Sequence, residues 1–154
     1  MPRHSRGTTL VEVTAAAVIA AAAMTAAAVS FRPQHVQARA AAAAEASRLH
    51  TACDYARLLA IGSGTATRVR LIGPRSAASG YVIETSPGGS FTAVPSSQYV
   101  WANPVSCSSS DSEVLFLPTG NAAAGYQIRF SNEASAICEL SVLPAGGVIR
   151  ESSL

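Results

Sequence analysis

The chain has 154 residues, which is enough for one modest domain but not for two large ones. Charged residues make up only 13%, about half the fraction usual in soluble globular proteins, so part of the apolar surface must lie outside an ordinary core. The chain has 11 basic and 9 acidic side chains. If Arg3 and Arg6 are removed with an N-terminal leader, 9 basic side chains remain and the two counts are equal. That balance argues against general electrostatic attraction to nucleic acid.

The chain begins with a basic segment, which is followed by a long apolar run. Residues 1–7 are MPRHSRG, and residues 8–31 are TTLVEVTAAAVIAAAAMTAAAVSF. From Val13 to Phe31 there are 19 residues without a charge, a length that can cross a hydrocarbon core as a helix. We expect the basic cluster to stay on the cytoplasmic side, which places the remainder of the chain across the membrane.

Three interpretations fit this segment: a secretory signal peptide, a plain signal anchor, or a short leader removed ahead of a retained helix. Glu12 distinguishes them. A carboxylate in an apolar helix costs roughly 2.5–3.5 kcal/mol near the bilayer centre and less toward the helix end. A discarded signal has no reason to carry that cost, whereas a retained helix can offset it beside a cationic partner. Glu12 therefore favours a short leader that is removed ahead of a retained helix.

Residues 32–62 are predicted to continue the helix as an amphipathic half, with Pro33 marking a kink or a junction. Residues 34–61 contain neither Gly nor Pro. One face is apolar at the spacing i, i+4, i+7 and i+11, formed by Leu49, Cys53, Ala56 and Ala60. We expect this face to dock on a domain and the helix to end at Gly62 and Gly64.

Residues 63–154 change to short strand-like segments separated by Gly and Pro turns. In Thr67–Ile72, Val69 and Leu71 alternate with arginines, which is typical of a half-buried strand. Further strands are predicted at 81–85, 98–102, 114–117, 126–130, 136–143 and 147–150, with a polar loop over 103–113. The pattern predicts a small antiparallel β-sheet domain, and the fold class is α+β.

No catalytic, metal or cofactor site is predicted. His50, Cys53 and Asp54 lie within one helical turn, but no second segment supports a metal site or a Cys–His nucleophile. A surface His and Asp beside a packed Cys is the better interpretation. The sequence also has no phosphate-binding Gly loop, no paired-Cys zinc pattern and no nucleophile elbow.

Two further features have alternative interpretations. Cys107 and Cys138 could form a disulfide in an oxidising compartment, or all three cysteines could be buried free thiols. Tyr99 and Trp101 fall on one face of a strand. They could form a partner-binding surface, although core packing is the more frequent role of a lone Trp.

The segment from Gly7 to Val13, GTTLVEV, resembles the cleavage and methylation motif of type IV pilins and type II secretion pseudopilins. The resemblance implies that the prepilin peptidase cuts after Gly7 and that the new N-terminal residue, Thr8, is methylated. It implies that Glu12, the fifth residue of the mature chain, serves assembly. The chain departs from the family in having Thr8 where Phe is usual, and in having its Pro at position 33.

Downstream segments resemble H-type pseudopilins and FimT-like minor pilins. They are ARLLA at 56–60, RVRL at 68–71, VLFLPTG at 114–120, YQIRF at 126–130, LSV at 140–142 and GGVIR at 146–150. The resemblance implies a pilin-like fold: a long N-terminal helix, membrane-spanning in its first half, packed on the β-sheet domain. The expected divisions are a leader at 1–7, a transmembrane and assembly helix at 8–31, an amphipathic helix at 32–62 and a β-rich domain at 63–154.

The implied function is that of a minor structural subunit, not an enzyme, of a type II secretion pseudopilus or a type IV pilus. Its expected partners are the prepilin peptidase and methyltransferase, other pseudopilins or minor pilins, and the inner membrane. The expected topology is a single pass with the C-terminal domain on the periplasmic side. One alternative is a FimT-like subunit that binds DNA, although its basic Gly-Arg-x-Arg segment is here Gly147 to Arg150 without the first Arg. The other alternative is a secreted β domain with an ordinary signal peptide.

Overall fold

The computed structural model describes residues 10–30, 33–102, 105–132, 135–144 and 149–153. The predicted cleavage positions Gly7 and Thr8 lie outside these residues. The chain divides into two compact units, Met1–Val36 and Gln37–Leu154.

The first unit contains helix α1, Leu10–Ser30, built mostly of alanine. From Val11 to Met24 its larger apolar side chains are exposed, among them Val18 at 68% and Ile19 at 69%. Near its start, the hydroxyl of Thr14 donates a hydrogen bond to the carbonyl of Val11 at 3.0 Å. Among the described residues, none of the helices has the length and apolar character that a bilayer crossing requires.

Helix α2 runs from Pro33 to Ser63, and proline is favoured at a first helical position because its missing N–H has no partner there. The predicted apolar face is confirmed, since its four residues are completely buried. The same face extends toward the N-terminus through Ala42, Glu45 and Ala46, which are also completely buried. The helix ends where Gly64 adopts φ +66°, the left-handed conformation that commonly stops a helix.

Two antiparallel sheets follow α2 in the chain. The first, sheet A, has the order β3-β2-β1-β6, with β4 also paired to β2. Its strands are β1 Thr67–Ile72, β2 Gly80–Thr85, β3 Thr92–Ala93, β4 Tyr99–Val100 and β6 Glu113–Phe116. The second, sheet B, has the order β5-β7-β8-β9. Its strands are β5 Ser106–Ser109, β7 Tyr126–Asn132, β8 Ser135–Val142 and β9 Ile149–Ser153.

A single hydrophobic core joins α2 to both sheets. Alternate residues of β1, β6 and β7, and of the described part of β8, are buried in it, as the strand period of two requires. Its largest fully buried apolar side chains are Phe116, Phe130, Leu49, Ile128 and Leu140. The helix on an antiparallel β domain confirms the predicted fold class.

Three strands differ most from the prediction. Strand β3, Thr92–Ala93, was not predicted, because its two residues are both exposed and carry no alternating pattern. The predicted loop at 103–113 contains β5, whose sequence Ser-Cys-Ser-Ser has only one apolar residue. Pairing with β7, together with a bridge between Ala78 and Cys107, creates this strand, so its own pattern gives no signal. The predicted strand at 98–102 is shorter, Tyr99–Val100, because only two residues pair with β2.

Candidate functional site

Glu12 lies in the first turn of α1, and its side chain is exposed to solvent in this single chain. A carboxylate in the first turn interacts favourably with the helix dipole. The other predicted processing positions lie outside the described residues, so cleavage and methylation remain predictions.

The cluster on α2 has the arrangement expected of a packed Cys beside surface polar residues. Cys53 is completely buried, and burial, with a smaller effect from Asp54, raises the pKa of its thiol to about 12. Asp54 is exposed, with Oδ2 lying 3.5 Å from Nε2 of His50. A thiol with so high a pKa carries almost no thiolate at neutral pH and is a poor nucleophile. No group of metal-ligating side chains occurs among the described residues.

All three cysteines are buried, and none of them forms a disulfide. Cys107 on β5 and Cys138 on β8 both pair with Phe130 on β7, from opposite sides. Two strand spacings of about 4.8 Å each therefore separate them, whereas a disulfide requires Cα atoms less than about 7 Å apart. The disulfide alternative is not formed in this structure, because a whole strand lies between the two residues.

Tyr99 and Trp101 belong to an aromatic cluster with Tyr81 and Phe130. The ring of Trp101 meets Phe130 edge to face at 5.5 Å between centroids, and its Nε1 donates to the carbonyl of Ala78 at 2.8 Å. Tyr81 lies 5.5 Å from Tyr99 and 5.7 Å from Trp101. Trp101 thus packs against the core as expected, while Tyr99 reaches the surface beside α2.

Glu45 and Arg48 are functional candidates that the sequence analysis missed. Glu45 is completely buried, with Oε1 lying 3.7 Å from Nη1 of Arg48 and accepting a 3.5 Å hydrogen bond from the hydroxyl of Tyr99. Arg48 also donates to that hydroxyl, and its guanidinium carbon lies 5.2 Å from the Tyr99 ring centroid. The available signal was the position of Glu45, four residues before Leu49 on the apolar face.

Beside this group, a cavity of about 540 Å³ opens between α2 and the segment from Val94 to Tyr99. Its lining includes Ala52, Ile83 and Tyr81. Burial, followed by the nearby Tyr99, raises the pKa of Tyr81, as expected of a phenol partly removed from water. Among the described residues that line the cavity there is no Cys, His, Lys, Asp or Glu.

Comparison with known proteins gives two similar folds. No protein-family model and no curated protein sequence matches the chain. The type IV minor pilin FimU of Pseudomonas aeruginosa matches with a TM-score of 0.59 and 16% identity, over 71% of this chain and 90% of FimU. The minor pseudopilin EpsH of the Vibrio cholerae type II secretion system matches with a TM-score of 0.62 and 9% identity, over 75% of this chain and 97% of EpsH. Helix, sheets and comparison together show that this chain has the fold of minor pilins and pseudopilins.

Proposed function

We propose that this chain is a minor pilin-like structural subunit, without enzymatic activity, of a type II secretion pseudopilus or a type IV pilus. The observation that carries the proposal is the fold shared with FimU and EpsH. The N-terminal motif supports it independently, because GTTLVEV places a Gly five residues ahead of a lone Glu in an apolar run.

The prepilin peptidase would cut after Gly7 and methylate Thr8. Cleavage creates an α-amine four residues before Glu12, and methylation keeps that amine cationic. A basic leader and an uncharged run from Val13 to Phe31 support insertion of residues 8–31 in the inner membrane with the β domain on the periplasmic side.

Glu12 would set the register of the subunit in the filament. Removing one partner of a buried ion pair leaves a costly charge, whereas a paired charge is tolerated. The amine of one subunit can pair with Glu12 of its neighbour only at one axial offset. The alanines that dominate α1 permit close helix approach, as small residues do between membrane helices.

The mature N-terminus tests processing. Mass spectrometry of the protein isolated from its native membrane should find a chain that begins with methylated Thr8. An intact leader would contradict the proposal. A mature chain that starts beyond Ala28 would identify an ordinary signal peptide instead.

Exchange of Glu12 tests assembly. Glu12→Val should be processed normally but should co-purify poorly with partner pseudopilins after crosslinking of the filament. Thr14→Val is the matched control, because it changes a neighbouring polar residue of α1 without removing a charge, and it should assemble normally. Normal incorporation of the Glu12→Val subunit would contradict the role of the ion pair.

A further inference from the structure

The cavity between α2 and the Val94–Tyr99 segment has the properties of a built binding site. Its volume of about 540 Å³ falls within the range of ligand pockets in proteins, about 300–1,000 Å³. Three tyrosines contribute to its walls: Tyr55 from α2, Tyr81 from β2 and Tyr99 from β4. Tyrosine offers a large, rigid contact surface with a polar end, which is why it is enriched at binding surfaces.

The rim of the cavity opposite the helix is held in a fixed conformation. The hydroxyl of Ser97 accepts from the backbone N–H of Ile83 at 3.2 Å, and it lies 2.9 Å and 2.7 Å from the carbonyls of Ile83 and Val94. Ser96 has φ +60°, a left-handed conformation that costs a non-glycine residue free energy. Ser96 keeps this unfavourable conformation next to Ser97, whose hydrogen bonds fix the segment. These contacts therefore hold the rim of the cavity in one shape.

Arg48 gives the cavity its chemical preference, since it is the single charged residue among the described lining residues. Its Nη1 is engaged by Tyr99 and approaches Glu45. No described residue bonds its Nε or Nη2, and its side chain is 51% exposed. That free edge of a guanidinium matches the two oxygens of a carboxylate, and stacking on Tyr99 limits the freedom lost when it binds.

We propose that this cavity binds a peptide segment of a partner protein that presents a carboxylate beside an aromatic side chain. The carboxylate bonds the free edge of Arg48, and the aromatic ring lies among the three tyrosines. Arg and Tyr are, with Trp, the residues enriched among those that contribute most to binding at protein interfaces. This binding does not require filament assembly, because all the residues that form the cavity lie within the second unit.

The experiment uses the full chain in detergent micelles and the fluorescence of Trp101, the single Trp of the chain, which lies 6.0 Å from Tyr99 between ring centroids. The probes are acetyl-Gly-Gly-Phe as the free acid, the same peptide as the carboxamide, and maltotriose. The free acid should change the fluorescence saturably. The carboxamide should bind about tenfold more weakly, since it loses a charge-assisted hydrogen-bond pair.

Two matched variants place a Phe at exposed positions of α2 without adding a Trp. Ser47 lines the cavity, so the Ser47→Phe protein should not bind the peptide. Ala43 lies outside the lining, so the Ala43→Phe protein should bind it as the wild type does. Arg48→Lys keeps the charge beside Glu45 but removes the planar fork, so acid and amide should then bind alike. Equal binding of both peptides to the wild type, unchanged binding in Ser47→Phe, or a response to maltotriose alone would overturn the proposal.

Discussion

Arg68 and Glu84 face each other across β1 and β2, with Nε of Arg68 lying 2.6 Å from Oε2 of Glu84. Arg70 bonds the other oxygen of Glu84 at 2.9 Å, and Arg68 also reaches Glu113 at 2.8 Å. The guanidinium of Arg68 lies 4.0 Å from the ring centroid of Phe91. Burial alone would raise the pKa of Glu84, but hydrogen bonds from Arg70 and Arg68 outweigh it, and the pKa is lowered.

Glu84→Gln should lower the free energy of unfolding by about 1.5–3 kcal/mol, because charge-assisted hydrogen bonds are lost at a site only 7% exposed. Asp111→Asn is the matched control. Its pair with Arg75 is 3.5 Å long and exposed on both sides, and such pairs contribute less than about 1 kcal/mol. Urea unfolding of the three proteins measures both values, and equal losses in the two variants would contradict the role of the network.

The same carboxylate predicts acid sensitivity. Because the pKa of Glu84 in the folded state lies below its ordinary value of 4.5, the unfolded chain binds the proton more readily. The stabilisation is therefore complete above pH 4.5 and is lost as the pH falls through the lower, folded pKa. Unfolding curves of the wild type and of Glu84→Gln should converge as the pH decreases below 4.5. A difference in stability that stays constant with pH would contradict this prediction.

Sequence periodicity predicted the elements that bury a continuous face of their own. The stripe from Leu49 to Ala60 is completely buried, because a helical spacing repeated over three turns is a strong signal. Strand β1 is found as predicted, with Val69 and Leu71 buried and Arg70 exposed. These elements carry their patterns within one segment, so no knowledge of their neighbours was needed.

The features that the sequence did not predict depend on contacts between residues that are far apart in the chain. Strand β5 forms because it pairs with β7. The separation of Cys107 from Cys138 follows from the strand order β5-β7-β8, which cannot be predicted from the sequence pattern. The cavity joins Arg48 to Tyr99, 51 residues apart. Glu45 was the local clue, since a charge on an apolar face requires a buried partner, but no spacing rule identifies that partner.

Gly80 is predicted to be required for the pairing of β2 with β4. A Cβ atom there would lie 2.1 Å from the backbone oxygen of Tyr99 and 2.9 Å from Cα of Val100. Gly80→Ala should therefore displace β4 and lower the free energy of unfolding by about 3 kcal/mol, the upper end of the usual cost of overpacking. Gly88→Ala is the control, because nothing lies within 4 Å of its added Cβ. Equal melting temperatures for the two variants would show that β4 is not held in this position.

The buried thiols should react slowly with a thiol reagent in the folded protein. Burial raises the pKa of both Cys53 and Cys107 to about 12, and a thiol reagent reacts with the thiolate. In the native protein at pH 8 we therefore expect reaction to occur only as fast as the core that contains these cysteines opens, and a sub-denaturing concentration of urea should accelerate it.

In full denaturant without a reductant, all 3 cysteines should react at once, because Phe130 holds Cys107 and Cys138 on opposite sides of β7. A single reactive thiol would show instead that the protein, in its own compartment, forms the disulfide by rearranging sheet B. Cys53→Ser distinguishes the two outcomes further. It should leave two reactive thiols if Cys107 and Cys138 are free and none if they are joined.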